Sequence, residues 1–312
     1  MEMPSVGIDI SDQAIRFVEI GYNEFNRQRL QLKTFGEKKI PDDVITAGFI
    51  NKPEEIKKLL TEISKEHGLK FANVSLPEEK GYLFKTELPN IAEKYFAENI
   101  ELRLEENVPV DATKSVFGYN LIRPHDDVRH TEAVITVVPS KVIDVYSDLF
   151  QRTSLTPVSY ELVTQSIARA VVPQDEKEVC LIVHVGDLRA GFGIVSNGAL
   201  QFTSTVNIGR VTDLTGIEKR KSLIKDEIVK LKLYWQGRDE NNLIKKVIIS
   251  GKSSTASGFR EYLADVAGCR ADLANVWVNI CNFNEDVPEM SFEDSLDYAP
   301  AIGLAISRFY HA

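Results

Sequence analysis

The sequence predicts an α/β fold in which one strand-rich plan occurs twice, with a small α+β subdomain inserted into the first copy. Three observations predict it. A strand, turn and strand pattern at the start of the chain returns after residue 179; each copy continues into helices; and a block of different pattern interrupts the first copy between residues 79 and 154. A chain of 312 residues is also too long for one simple core.

The first copy begins with two short apolar runs, residues 6–10 and 14–20, on either side of a polar tripeptide. Such a pattern predicts two strands joined by a tight turn, and alternation over residues 30–35 adds a third strand. Between Pro53 and Gly68 the apolar residues recur at helical spacing, with proline in the first turn and glycine at the end, which predicts a one-faced helix. A fourth strand is predicted at residues 71–76.

The inserted block has its own pattern. Residues 82–88 alternate as a strand, and Asn90 with Glu93 resembles a capping arrangement that opens a helix running to about Glu106. Two strands at 116–122 and 133–138 are predicted next, followed by a helix. The order strand, helix, strand, strand, helix predicts an α+β subdomain.

The second copy opens at residues 180–186, where an apolar run ends in a glycine turn. A second strand at 190–195 leads to Asn197-Gly198, a strong hairpin signal, and a third strand follows at 200–208. Further strands are predicted at 155–158 and 247–249, and further helices at 140–152, 162–171, 222–235, 258–267 and 300–309.

These patterns define the expected domains. Residues 1–78, 155–175 and 298–312 form the first half, residues 79–154 the inserted subdomain, and residues 176–297 the second half. A cleft is expected between the two halves.

Composition excludes several classes of protein. The chain carries 46 acidic and 37 basic side chains, a net charge of −9, which argues against a dedicated nucleic-acid binder. No stretch approaches the ~20 apolar residues of a membrane-spanning helix, and the start lacks the pattern of a signal peptide. Three scattered cysteines form no CxxC pair, and Cys180 is interpreted as a core residue. We therefore expect a cytoplasmic protein without direct membrane insertion.

Several segments together resemble the type IV pilus assembly protein PilM family. The segments are Gly7-Ile8-Asp9-Ile10, Leu88-Pro89, Glu106-Asn107-Val108-Pro109, Val137-Val138-Pro139-Ser140, Leu155-Thr156-Pro157-Val158 and Ala301-Ile302-Gly303-Leu304-Ala305. The resemblance implies a duplicated actin-like (ribonuclease H-like) fold, related to the cell-division protein FtsA. In that fold the first half is subdomain IA, the insertion is a 1C-like subdomain, and the second half comprises IIA and IIB.

The resemblance also implies the partners. Members of this family bind the cytoplasmic N-terminal tail of a PilN-like membrane protein in a groove of the first half. Through it they connect to a PilO-like protein and the pilus assembly ATPase at the inner face of the cytoplasmic membrane. The implied function is a scaffold, and the sequence identifies neither the groove residues nor the oligomeric state.

A site for ATP and Mg²⁺ is implied at positions that match the family, namely Asp9, Ser11, Arg16, Gly186 and Gly251. Glycines allow the backbone to approach phosphates, and carboxylates suit a hydrated cation. Asp9 would order the water around Mg²⁺, with Asp12 or Asp187 in place of a missing acid.

The sequence departs from the family pattern at several of these motifs. Ser11 and Asp12 replace glycine and serine in the first loop. His184 stands where the family has aspartate, and Arg189 where it has threonine. Only one glycine of the family's pair is present before Lys252. We therefore expect nucleotide binding to be weak or lost and ATPase activity to be absent, with His184 either a buried core histidine or a site residue.

Other signals leave alternatives open. His125, Asp126, Asp127 and His130 could hold a metal or be an ordinary polar turn. The basic run at 219–221 could face an acidic partner or anionic lipid, or be a plain helix surface. Rival functions are an FtsA-like membrane-associated cytoskeletal ATPase, disfavoured because no amphipathic helix follows residue 309, and a sugar-kinase relative, disfavoured by His184.

Overall fold

The computed structural model describes residues 5–23, 29–46, 48–89, 91–122, 131–210, 214–238, 242–281 and 287–309. The strands are β1 (Ser5–Ile10), β2 (Ala14–Tyr22), β3 (Leu30–Lys39), β4 (Ile45–Thr46), β5 (Phe49–Ile50), β6 (Phe71–Leu76), β7 (Tyr82–Leu88), β8 (Ser115–Ile122), β9 (Thr131–Pro139), β10 (Thr156–Leu162), β11 (Cys180–Val185), β12 (Arg189–Ser196), β13 (Ala199–Asn207), β14 (Lys246–Ser250) and β15 (Arg270–Leu273). The helices are α1 (Pro53–His67), α2 (Phe96–Glu101), α3 (Leu104–Asn107), α4 (Ser140–Phe150), α5 (Val163–Val171), α6 (Leu214–Arg238), α7 (Phe259–Ala267), α8 (Phe292–Ser295) and α9 (Ala299–Ala305).

The two halves contain sheets of the same design. In the first sheet β1, β2 and β3 form an antiparallel meander, while β6 and β10 add parallel strands on the other side of β1. In the second sheet β11, β12 and β13 form the meander, and β14 and β15 are the parallel additions. The predicted duplication of an α/β plan is confirmed.

The meander of the second sheet turns where the sequence indicates. Asn197 and Gly198 both have positive φ, 53° and 73°, which is the backbone that a two-residue hairpin of matching twist needs. Between the meander and the parallel strands of each sheet the chain makes a helical crossover, α1 in the first half and α6 in the second.

Helices α5 and α9 pack against each other between the two sheets and form the shared core of the molecule. The two helices touch backbone to backbone, since a Cβ on Gly303 of α9 would lie 1.8 Å from the carbonyl oxygen of Ser166 in α5. Helix α9 also touches β1 in this way, since a Cβ on Gly7 would lie 2.0 Å from the carbonyl oxygen of Ala301. Strand β1 is buried along its whole length, as expected for a central strand covered on both faces.

The outer faces of the sheets carry the remaining long helices. Ile56, Leu60 and Ile63 of α1 are fully buried in the core of the first sheet, and Ile224, Ile228 and Leu231 of α6 cover the second sheet, where α7 also packs. Helix α4 lies inside the range 79–154 predicted as the insertion. Even so, its buried residues Tyr146, Leu149 and Phe150 belong to the core of the first sheet.

The inserted unit is a three-stranded sheet, β7-β9-β8, covered by α2 and α3. The single helix predicted to follow the Asn90 cap and run to about Glu106 is wrong, because a break at residues 102–103 separates α2 from α3. Arg103 explains the break. Its own N–H bonds the carbonyl of Ile100, three residues back, and its guanidinium donates to the Glu87 carbonyl of β7 at 2.7 Å. Asn90, the predicted cap, lies outside the described residues.

Some boundaries differ from prediction, and four short elements were not predicted. Helix α6 begins at Leu214 and not near residue 222, while the β4-β5 hairpin, β15 and α8 have too few residues to show a period. Cys180 is fully buried, as expected. No helix within the described residues is long and apolar enough to cross a membrane.

We expect Gly303→Ala to destabilise the protein by about 3 kcal/mol, because the added methyl group would force α9 away from α5. Urea unfolding followed by circular dichroism measures the change. Gly118→Ala on β8 is the matched control, since a Cβ there meets no atom within 4 Å. Equal stability of the two variants would contradict the close approach.

Candidate functional site

An open cleft lies between the two halves, where the turn after β1 faces the turn after β11. Both turns belong to tight antiparallel hairpins that the sequence predicts. The described lining residues that carry charge or a titratable group are Asp9, Asp12, Arg16, Glu78, Glu79, His184, Asp187, Arg189 and Asp297.

Asp9 lies at the end of β1 and is almost fully buried. Its Oδ1 accepts a hydrogen bond of 2.7 Å from the Ser75 hydroxyl of β6, and the same hydroxyl oxygen accepts the Ile10 N–H. Burial raises the pKa of the Asp9 carboxyl, while Ser75 and Arg16 act in the opposite direction. A carboxylate that orders the water around a metal must be ionised. Burial therefore makes Asp9 less suited to that role.

Arg16, on β2, lies beside Asp9 of β1 and contacts acidic neighbours. It pairs in register with Asp9 on one side and Glu37 on the other, so the three side chains lie on the same face of the sheet. Its Nε is 2.7 Å from Glu37 Oε2, an ion pair whose N–H is not aligned for a hydrogen bond. Its Nη2 lies 3.4 Å from Asp297 Oδ2.

His184 occupies on β11 the place that Asp9 occupies on β1. Its Nδ1 lies 2.9 Å from the hydroxyl oxygen of Ser250 on the neighbouring strand β14. Burial lowers the pKa of His184 to about 4; Arg16 acts in the same direction, and Asp297 opposes them. A neutral imidazole cannot replace a carboxylate in ordering the water around a metal. His184 is half-buried and lines the cleft.

Arg189 crosses the cleft from the first residue of β12. Its Nη2 donates to Asp12 Oδ2 at 2.7 Å, and its Nη1 donates to Glu79 Oε1 at 2.6 Å. Asp12 belongs to the turn after β1, and Glu79 belongs to the 3-10 turn that follows β6. One guanidinium therefore joins the second half to two loops of the first half.

Hydrogen bonds within the turn and from α6 stabilise the turn after β11. The Gly186 N–H donates to the Arg189 carbonyl at 2.9 Å and closes the turn. Arg220 of α6 donates through Nε to the Gly209 carbonyl at 2.9 Å and through Nη2 to the Asp187 carbonyl. Arg220 thus has a structural role.

Glu78 is a buried carboxyl where the two halves meet. Its Oε2 accepts the Thr164 N–H at the start of α5 at 3.0 Å. Within the described part of the chain, Oε1 has no well-aligned hydrogen bond, although the Thr203 hydroxyl of β13 is close enough to affect the group. Burial raises the pKa of Glu78, and those hydroxyl and amide contacts only partly offset it.

The structure brings four of the five predicted nucleotide-site residues into the cleft, namely Asp9, Ser11, Arg16 and Gly186. Gly251 is not among the described lining residues. It has φ of 87°, and its N–H donates to the carbonyl of Leu296, so it serves the turn after β14. Of the two acids suggested for the metal, both Asp12 and Asp187 line the cleft.

Two more predicted groups have local partners. The Ser11 hydroxyl donates to the Ala14 carbonyl at 3.0 Å and accepts the Ala14 N–H, which organises its own turn. Lys252 Nζ pairs with Asp294 at 2.6 Å, and its backbone N–H donates to Asp297. Pattern reasoning missed Asp297, Glu78 and Glu79, because nothing in their local sequence marks them as neighbours of the cleft.

The charges of the cleft do not match those of a magnesium triphosphate. Six carboxyl groups and two guanidinium groups are among the described lining residues, and both guanidiniums are already paired with carboxylates. Phosphates placed between the two turns would meet Asp12 and Glu79 and would have to displace Arg189 from both. The donor set is therefore poorly suited to hold the phosphate tail.

The remaining metal hypothesis falls outside the described residues, because His125, Asp126, Asp127 and His130 all lie between 122 and 131. Among the residues that the structure does describe, no group of three or more metal-binding side chains comes together.

His184 predicts a pH dependence of stability. Its pKa is lowered in the folded protein, so the unfolded chain takes up a proton that the folded one does not as the pH falls from 6.5 towards 4. The contribution of His184 to the free energy of unfolding should drop in that interval by an amount on the order of 3 kcal/mol. His184→Asn keeps a partner for Ser250 but cannot titrate, so urea unfolding across this range should give a flatter curve. Parallel curves for the two proteins would contradict the assignment.

Comparison with solved structures identifies the fold. The chain is similar to a PilM-PilN type IV pilus biogenesis complex, with a TM-score of 0.78 and 14% identity over 98% of this chain and 99% of that one. It is also similar to MreB 5 of Spiroplasma citri bound to AMPPNP (TM-score 0.51, 10% identity, 99% and 97% covered). A third match is the ethanolamine utilization protein EutJ of Carboxydothermus hydrogenoformans (0.50, 11%, 98% and 90%). The fold is therefore actin-like, as expected.

Sequence comparison agrees. No curated protein sequence matches the chain significantly. The family model described as type IV pilus assembly protein PilM matches residues 7–216, which is more than half of the chain and includes both turns of the cleft and the inserted unit. The chain therefore belongs to the type IV pilus assembly protein PilM family.

Proposed function

We propose that this protein is a scaffold of a type IV pilus assembly platform and binds the cytoplasmic N-terminal tail of a PilN-like membrane protein. The observation that carries the proposal is the similarity, over nearly the full length of both chains, to a PilM-PilN complex. Binding of that tail would hold the protein at the inner face of the cytoplasmic membrane. Through the PilN-like protein, it would connect indirectly to a PilO-like protein and the assembly ATPase.

The surface around α4 suits an extended peptide. Helix α4 contacts β8 of the inserted sheet and β10 of the first sheet. Each of these elements exposes one valine, and Val116, Val145 and Val158 have exposed fractions of 45%, 43% and 55%. Apolar side chains that stay exposed on neighbouring elements are typical of a docking surface.

The backbone at this surface is also suitable. Strands β8 and β10 are edge strands, since within the described residues each pairs with one neighbour only, β9 and β6 respectively. An edge strand offers main-chain N–H and carbonyl groups to an added strand, while pockets beside it select side chains. We propose that the PilN-like tail lies along α4 between these two edges.

We also propose that nucleotide binding is weak or lost and that the protein is not an ATPase. The support comes from the paired guanidiniums, the uncharged His184 and the raised pKa of Asp9, all within the space that the triphosphate and its metal would need. The similarity to MreB 5 with AMPPNP extends only to the fold.

Val145→Asp and Val158→Asp should each weaken binding of a synthetic PilN-like tail by at least about tenfold, or ~1.4 kcal/mol, because a carboxylate would replace apolar contact. Isothermal titration calorimetry measures the affinity. Leu233→Asp is the matched control, since this leucine is 65% exposed on α6 of the other half. Equal loss in all three variants, or none in any, would remove the α4 surface from the proposal.

Titration with ATP and Mg²⁺, in the absence of peptide, should give no heat of binding, and Asp9→Asn should not alter that result. Peptide binding without nucleotide supports the scaffold. Tight ATP binding that depends on Asp9 would instead favour the FtsA-like alternative, and failure to bind either ligand would contradict the proposed function.

A further inference from the structure

We propose that Arg189 is an internal latch that holds the two halves of the protein closed across the cleft, in the place where a bound nucleotide would otherwise join the two turns. This inference concerns the cleft alone and does not depend on peptide binding by the first half.

The latch is a fork with two separate anchors. The two ends of the guanidinium donate to Asp12 and Glu79 at 2.7 and 2.6 Å, and these acids belong to loops that follow different strands. The side chains of Arg189 and Asp12 are only 19% and 12% exposed. Charge-assisted bonds in such partly buried places are less screened by water and salt than those on the surface.

The first-half anchor is itself tied to a third element. Asp12 uses its other carboxylate oxygen to accept the Gly48 N–H at 3.1 Å, beside the β4-β5 hairpin. Gly48 in turn packs on Pro77, just before the turn that carries Glu79. The latch therefore fixes the turn after β1, the hairpin and the 3-10 turn as one unit against β12.

The second-half anchor is rigid. Arg189 pairs in register with Asn207 on β13, and its carbonyl accepts the Gly186 N–H. Arg220 holds the carbonyls on either side of this corner, Asp187 and Gly209. These contacts hold the backbone of Arg189 in place. Its two ion pairs can therefore restrict movement of one half relative to the other.

A second cross-cleft pair provides the internal comparison. Arg210 and Asp42 also join the two halves, but their side chains are 52% and 71% exposed. Exposed pairs of this kind contribute little, because water and salt screen them. Arg189 thus joins the halves through a shielded Asp12 and a 36% exposed Glu79, whereas the Arg210 pair lies on the open rim.

The experiment compares Arg189→Met with Arg210→Met in the full chain, by hydrogen-deuterium exchange and small-angle X-ray scattering without nucleotide. We expect Arg189→Met to raise exchange of the amides at Ser11, Gly48 and Gly186 by about tenfold and to increase the radius of gyration. Arg210→Met should leave both unchanged. Arg189→Lys should behave like Arg189→Met, since a point cation cannot bridge two carboxylates as a fork does.

The double variant Asp12→Asn/Glu79→Gln keeps Arg189 and removes both partners, so it should open the cleft in the same way if the protein folds normally by circular dichroism. Exchange and scattering unchanged in Arg189→Met would overturn the latch. Closure of the wild-type protein only on addition of ATP and Mg²⁺ would overturn it as well, because the latch acts without a ligand.

Discussion

The direct backbone contact of α9 with both α5 and β1 determines the arrangement of the molecule. Gly303 lets the two helices touch, and Gly7 lets α9 lie on the central strand of the first sheet, where any side chain would overlap a carbonyl oxygen. With α5 and α9 fixed between the sheets, the turn after β1 and the turn after β11 must face each other. The placement of the two turns opposite each other therefore follows from close packing at these two glycines.

Within that geometry, carboxylates already occupy both guanidinium groups that line the cleft. Arg16 is shared by Glu37 and Asp297, and Arg189 is shared by Asp12 and Glu79. Burial makes the ionised forms of Asp9 and Glu78 and the charged form of His184 less favourable. An actin-like framework can thus keep its shape while the arginines of its cleft pair with the protein's own carboxylates.

Local patterns predicted much of this structure, and their failures have physical causes. The two meanders, α1, the Asn197-Gly198 hairpin and the inserted unit all follow from periodicity and turn residues that act over a few positions. The break between α2 and α3 does not, because it depends on Arg103 reaching β7. Gly251 matches a family motif, yet it serves a turn, since its φ is 87° and a Cβ there would lie 2.3 Å from the Val185 carbonyl oxygen.

The sequence alone determined the duplicated α/β plan, the family resemblance and four residues that line the cleft, because those features depend on side-chain order along one segment. Only the tertiary structure decided which charges meet there. Arg189 lies 177 positions from Asp12 and 110 from Glu79, and their pairing exists only after both halves have packed around α5 and α9. No propensity or spacing encodes such a contact, since it depends on the relative placement of two separately folded sheets.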